Sequence, residues 1–290
     1  MFYPNGEFSL GLSNPVNYHN NGVVGSETRQ RKGKKQTTLS KRMVRNGAYL
    51  MEKRVGRRCL TFFTATLPDS AADAIEAAGE DGAKLYAEAD RQMMQWIRRQ
   101  LEAAGVQPDI VGCVEVQPRR WERYGKVALH SHYVFQGKLP DGDWIINKDD
   151  IRNQWNKILS NVCGVEVESL ASTRVEQVKK SAENYLAKYM SKSGKMTESI
   201  IEAGKGHLLP SHWWHCTNEL RKLIRSMLIP ISEDAGYILY GQREALKEQG
   251  ILSWFYVHEI EMTQSHGEPF MAPVAFVAKL GKPEYIQMFT

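Results

Sequence analysis

Two short segments carry residue types that can do chemistry. The first, Val127-Ala-Leu-His130-Ser-His132-Tyr-Val-Phe135, has the apolar and aromatic character of a strand. Alternate side chains of a strand share a face, so His130 and His132 project together and Ser131 points away. Two imidazoles so placed can share one divalent metal ion. The second segment, Ala182-Glu-Asn-Tyr185-Leu-Ala-Lys188-Tyr189-Met-Ser-Lys192, reads as a helix with Tyr185 and Tyr189 on one face. Lys188 and Lys192 fall on or near that face. A phenol with a pKa near 10 is a weak nucleophile. Neighbouring ammonium groups stabilise both a phenolate and the charge that develops on a phosphate under attack.

Neither segment decides the matter alone. Eight histidines in 290 residues produce roughly 0.2 His-x-His pairs by chance, and two tyrosines four apart are commonly core packing. The context strengthens the pair. Val127, Leu129, Val134 and Phe135 mark a buried strand, where imidazoles are costly without partners. A third ligand is available on the preceding strand, Ile110-Val-Gly-Cys-Val-Glu-Val-Gln117, where Glu115 and Gln117 share a face. A carboxylate neutralises a hard cation better than an amide, which favours Glu115, with Gln117 as the alternative because the hairpin register cannot be read from sequence.

The elements that must position these residues follow from patterning. Cys59–Leu67 reads as a strand closed by Pro68 and Asp69. Leu85, Ala89, Met93, Trp96, Ile97 and Leu101 recur at helical spacing over 83–104, with Gly105 as the stop. A polar connection, 118–126, leads to the histidine strand. A helix capped by Asp149 runs over 149–159, a strand over 165–178, then the tyrosine helix, a helix over 218–227 and a late strand over 251–260. A basic helix over 39–55 is anchored by Leu39, Met43 and Leu50. The order predicts an α+β fold, a central antiparallel sheet with flanking helices. Residues 1–58 are expected to be a basic, partly flexible arm, 59–230 the principal domain, and 231–290 a C-terminal extension.

Composition narrows the partners. Between Arg29 and Arg58 there are 12 Lys or Arg against Glu52 alone, leaving 26 bases and 32 acids elsewhere. Such asymmetry suggests a polyanion contact, with Arg54, Arg57 and Arg58 among the candidates. Arg119, Arg120, Trp121 and Arg123 offer guanidinium groups for phosphate and an indole for an unpaired base. Trp213 and Trp214 read as core. Cys59, Cys113, Cys163 and Cys216 lack CxxC spacing, so a zinc ribbon is not expected. No apolar run of about 18 residues is present, and Met1-Phe-Tyr-Pro-Asn-Gly lacks the order of a signal peptide.

Taken in order, three motifs resemble those of the HUH endonuclease superfamily, specifically two-tyrosine rolling-circle replication initiators similar to bacteriophage A-type proteins. Leu60-Thr-Phe-Phe-Thr-Ala-Thr resembles the first motif, Leu129-His-Ser-His-Tyr-Val-Phe the second and Tyr185-Leu-Ala-Lys-Tyr-Met-Ser-Lys192 the third. Ser131 stands where a hydrophobic residue is usual. The resemblance implies a sheet of about five antiparallel strands with the histidine strand near its centre. It implies Mg²⁺ or Mn²⁺ as cofactor, tyrosine attack giving a 5′-phosphotyrosine and a free 3′-hydroxyl, and religation at termination. It also implies single-stranded or supercoiled origin DNA as substrate, a host helicase and polymerase as partners, and a prokaryotic cytoplasm. No GxxxxGK[ST] helicase motif occurs. A two-tyrosine transposase would use the same motifs, and a non-catalytic nucleic-acid-binding protein would use only the basic segment.

Overall fold

The computed structural model describes residues 1–12, 38–190, 194–263 and 269–290. In chain order the elements are β1 (Glu7–Gly11), α1 (Thr38–Val55), β2 (Leu60–Thr66), α2 (Asp69–Ala77), α3 (Gly82–Ala103), β3 (Ile110–Val116), α4 (Pro118–Tyr124), β4 (Leu129–Gln136), α5 (Lys148–Cys163), β5 (Thr173–Gln177), α6 (Ala182–Met190), α7 (Gly194–Glu202), β6 (Trp214–Cys216), α8 (Asn218–Ser226), α9 (Glu233–Gly241), α10 (Arg243–Glu248), β7 (Leu252–Thr263) and β8 (Pro269–Leu280). Two compact units emerge, Arg31–Lys222 and Met1–Gln30 with Leu223–Thr290.

The Arg31–Lys222 unit holds a five-stranded antiparallel sheet in the order β5-β2-β4-β3-β6, so the histidine strand β4 is central. β4 pairs with β2 and β3 along its length, and all its residues but His130 are buried. One face carries Phe62, Thr64, His130, His132 and Glu115 and packs under α1 and α6. The other face carries Phe63, Ser131, Tyr133 and Val114 and packs against α3, which α5 flanks. Trp155 of α5 is fully buried, and its indole N–H donates to the Thr66 carbonyl at 2.9 Å. Gly112 sits where a Cβ would collide with the Tyr133 ring and the His132 carbonyl, so the β3–β4 pairing requires glycine there.

The second unit is a three-stranded antiparallel sheet, β1-β8-β7, packed around Phe2, Phe8, Leu239, Leu252, Phe276 and Leu280. Gly6, at φ +82°, makes the turn that brings Phe2 back to Phe8, a conformation that favours glycine.

Several expectations are corrected. The first residues are not an arm: β1 pairs with β8, with Glu7 opposite Lys279. The expected helix over 39–55 is α1, packed on the sheet as part of the Arg31–Lys222 unit, with Met43 buried and Leu50 half-buried. Arg29, Arg31, Lys32, Lys34 and Lys35 lie outside the described residues. The division therefore differs from 1–58, 59–230 and 231–290, because α1 and β1 each have buried partners. The connection 118–126 contains a helix: Pro118 at its first turn lacks the N–H that would go unpaired, and Gly125 closes it in the left-handed region. The strand expected over 165–178 is only β5, because Leu170 is exposed and a Ser172 hydroxyl bond to the Ser169 carbonyl turns the chain before it. Asn147 rather than Asp149 caps α5, its side chain accepting the Asp149 N–H at 2.9 Å.

Candidate metal and nucleophile site

The site begins with strand register. Glu115 lies directly opposite His130 across β3 and β4, while Thr64 lies opposite His132 across β2 and β4. Cross-strand neighbours on one face have Cβ atoms about 4.5–5.5 Å apart, close enough for side chains to converge on one point. Here they do. Glu115, His130 and His132 offer ligand atoms that all lie within 4.8 Å of one another, so the group could hold a metal ion.

The details fit that use. His132 Nε2 is 3.1 Å from Glu115 Oε1. Ligands about 2.0–2.1 Å from an octahedral cation lie roughly 3 Å from one another. Glu115 Oε2 and His130 Nε2 are buried without a hydrogen-bond partner among the described residues, an arrangement that costs stability unless something else meets them. His132 Nδ1 is 3.0 Å from the Thr64 hydroxyl, which orients the ring as outer hydrogen bonds do for metal-ligating histidines. Burial first, then the neighbouring His132 and Arg120, lowers the His130 pKa to about 3, so the imidazole keeps the neutral form that ligates metals. Gln117 is the half-buried residue that precedes α4. Its Oε1 is also buried without a hydrogen-bond partner among the described residues, but the group whose ligand atoms converge is Glu115, His130 and His132. Cys113, opposite His132, remains a thiol, because burial and then Glu115 push its pKa well up.

The tyrosines converge on the same place. Tyr189 stacks on His132 with ring centroids 3.8 Å apart, and Tyr185 is 5.6 Å from Tyr189. Phe62 supports both, at 4.0 Å from Tyr185 and 5.7 Å from Tyr189. Burial, followed by a hydrogen bond with Tyr185 and the nearby Glu115, raises the Tyr189 pKa, and Arg174 opposes this. Arg174 stands opposite Thr64 on β5, so its guanidinium belongs to the site face, where it is held by Glu176 at 2.7 Å. It is the cation that the sequence reading missed. The exposed Lys188 has its Nζ 5.9 Å from the Tyr189 ring centre. Lys192 lies outside the described residues.

The candidate DNA-contacting residues divide by placement. Arg119 and Arg123 are exposed on α4. Arg120 points inward, donating to the Leu67 carbonyl at 2.8 Å and pairing with Asp69 at 3.3 Å. Trp121 is half-buried, and its N–H donates to Ser199 Oγ at 3.2 Å. Arg54 is tied to Asp109 at 2.7 Å and Arg57 to Glu52 at 2.6 Å, while Arg58 is exposed. Trp213 is buried, and Trp214 begins β6.

Among the described residues no helix is long and apolar enough to cross a membrane. Compared with known protein families, curated proteins and solved structures, the chain matches none of them.

Proposed function

We propose that the Arg31–Lys222 unit is a metal-assisted single-strand DNA nickase and strand transferase of the HUH type, acting as a rolling-circle replication initiator. One observation carries the reading: two tyrosines one helical turn apart cover a buried Glu-His-His group. Glu115, His130 and His132 would hold a divalent ion, which supplies Lewis acidity to a bound phosphate.

The protein's own residues do the rest. Phe62 and His132 stack on the Tyr189 ring, Phe62 also packs at a tilt on Tyr185, and Arg174 favours a phenolate at Tyr189. A phenolate oxygen attacks phosphorus, the P–O3′ bond breaks, and the departing oxygen takes a proton to leave a 3′-hydroxyl. The 5′-phosphate stays on tyrosine, and a second tyrosine within reach of the same site permits a second transfer before the first is resolved. Arg119 and Arg123 on α4 and the exposed Arg58 are available to the strand's phosphates.

The test is a covalent adduct. The protein is incubated with Mn²⁺ and a pool of 3′-end-labelled random single strands, then run on a denaturing gel. A labelled adduct is expected from the wild type. None is expected from the Tyr185→Phe, Tyr189→Phe double variant or with a chelator. An adduct that survives in the double variant overturns the reading.

A further inference from the structure

The face of the sheet opposite the metal group has a cavity of its own. Ser131 Oγ, between the two histidines but pointing away from them, donates to Asp90 Oδ1 at 2.6 Å, and the Tyr86 hydroxyl bonds to the same Ser131 oxygen. The Tyr133 hydroxyl also donates to Asp90 Oδ1. Beyond this network a cavity of about 320 Å³ opens between α3 and residues 210–215, at the lower end of the ~300–1,000 Å³ typical of small-molecule sites.

Its wall has two chemically distinct ends. Ala87, Met94, Val114 and Pro210 give it an apolar floor. Asp90 lies at one end, an acceptor with no cation bound to it in the network above. At the other end Arg98 has only a loose pairing, 3.7 Å from Glu102, whereas Arg91 is held by Glu88 at 2.8 Å. His212 and His215 line the cavity as well. His215 Nε2 is buried without a hydrogen-bond partner among the described residues, a group left for a ligand to satisfy. Asp90 and Arg98, eight positions apart on α3, are separated by roughly 12 Å along the helix. A free phosphate cannot bridge that distance, but a single nucleotide can.

We propose that this cavity binds one nucleotide. Its phosphate sits by Arg98 and His215, its base lies over Met94 and Val114, and its N–H or hydroxyl donors bond to Asp90. The nucleotide is either free or one unpaired unit of a DNA strand, since both present the same groups. This inference does not depend on the nickase reading, because the cavity lies across the sheet from the metal group.

Binding is measured calorimetrically on the full chain in EDTA, which removes any contribution from the metal group. The probes are dAMP, dGMP, dCMP, dTMP, inorganic phosphate and a mixed-sequence DNA tetranucleotide. At least one mononucleotide or the tetranucleotide should bind tenfold or more tightly than phosphate. Mononucleotide binding identifies a free ligand, and binding of the tetranucleotide alone identifies a strand unit. Ala87→Trp, which fills the cavity from an exposed helix position, and Arg98→Ala should each weaken that binding at least tenfold without lowering Tm. Three results overturn the proposal: no probe binds, phosphate binds as well as any nucleotide, or both variants bind undiminished.

Discussion

Tyr189 lies flat on the imidazole of His132, with ring centroids 3.8 Å apart. The other side of the relationship is set by the sheet, because one His132 nitrogen faces Thr64 Oγ1 and the other faces Glu115. A single ring therefore joins the candidate ligand group to a candidate nucleophile. Movement of α6 or of β4 would disturb both, so metal binding and tyrosine position should be measurable through each other.

Replacing Glu115 by Gln keeps shape but removes the charge that a divalent ion needs. Mn²⁺ at 100 times its Kd stabilises a folded protein by about 2.7 kcal/mol, and wild type should show a Tm increase of that origin. Glu115→Gln should lose most of the increase, while its metal-free Tm should not fall, because a buried carboxylate no longer has to be desolvated. Equal Mn²⁺ stabilisation of both proteins would remove Glu115 from the ligand set.

Arg174→Gln tests the cation. Arg174 lowers the pKa of Tyr189 against the burial that raises it. Removing the guanidinium should raise that pKa further, and the alkaline rise of adduct formation should move to higher pH. At a fixed pH below the tyrosine pKa, each unit of displacement costs about tenfold in phenolate. Rates of adduct formation at a series of pH values decide this; profiles that superimpose would reduce Arg174 to a surface residue.

Ser131→Ala strips the shared oxygen from the Tyr86–Ser131–Asp90 network. The Tyr86 hydroxyl would be left buried and Asp90 would lose a donor, at a cost of about 1–3 kcal/mol. Urea midpoints report the loss. A midpoint within error of wild type would show that solvent or rearrangement replaces the bonds.

Acid should weaken the Arg31–Lys222 unit partly through His215. Burial, then Arg221 and Arg98, lowers its pKa from 6.5 to about 4. The unfolded chain therefore takes up this proton at a higher pH than the folded one. The associated stability is present above pH 6.5 and is lost as pH falls from 6.5 towards 4, on the order of 3 kcal/mol. His215→Gln should flatten the metal-free stability curve over that window. A slope as steep as wild type would assign the effect elsewhere.

Some of the site was legible in advance because it follows from local periodicity. Strand alternation alone puts His130 and His132 together, and helical spacing alone puts Tyr185 and Tyr189 together. Glu115 required register, which depends on how the chain returns from β3 to β4. The short helix α4 sets that return, and patterning gives it only as a polar connection over 118–126, although Pro118 and Gly125 are the start and stop signals of a helix. Thr64 and Arg174 were hidden for the same reason: each matters only by standing in one row across the sheet with His132. The five-stranded antiparallel sheet with β4 at its centre agrees with expectation. β6 has three residues, too few for alternation to register, and β1 and β8 specify each other only across nearly the whole sequence.

That last pairing imposes an order in time. Glu7 meets Lys279 only after about 270 further residues have been joined, which at roughly 5–20 residues per second takes tens of seconds on a ribosome. All five strands of the Arg31–Lys222 sheet have been synthesised before β8 exists. During that interval Phe2 and Phe8 have no finished partner surface, since Phe276 and Phe289, whose rings pack on them, are made long after them. The nascent chain thus exposes β1 as an unpaired, aromatic-bearing strand until β8 is made, the kind of segment that chaperones hold.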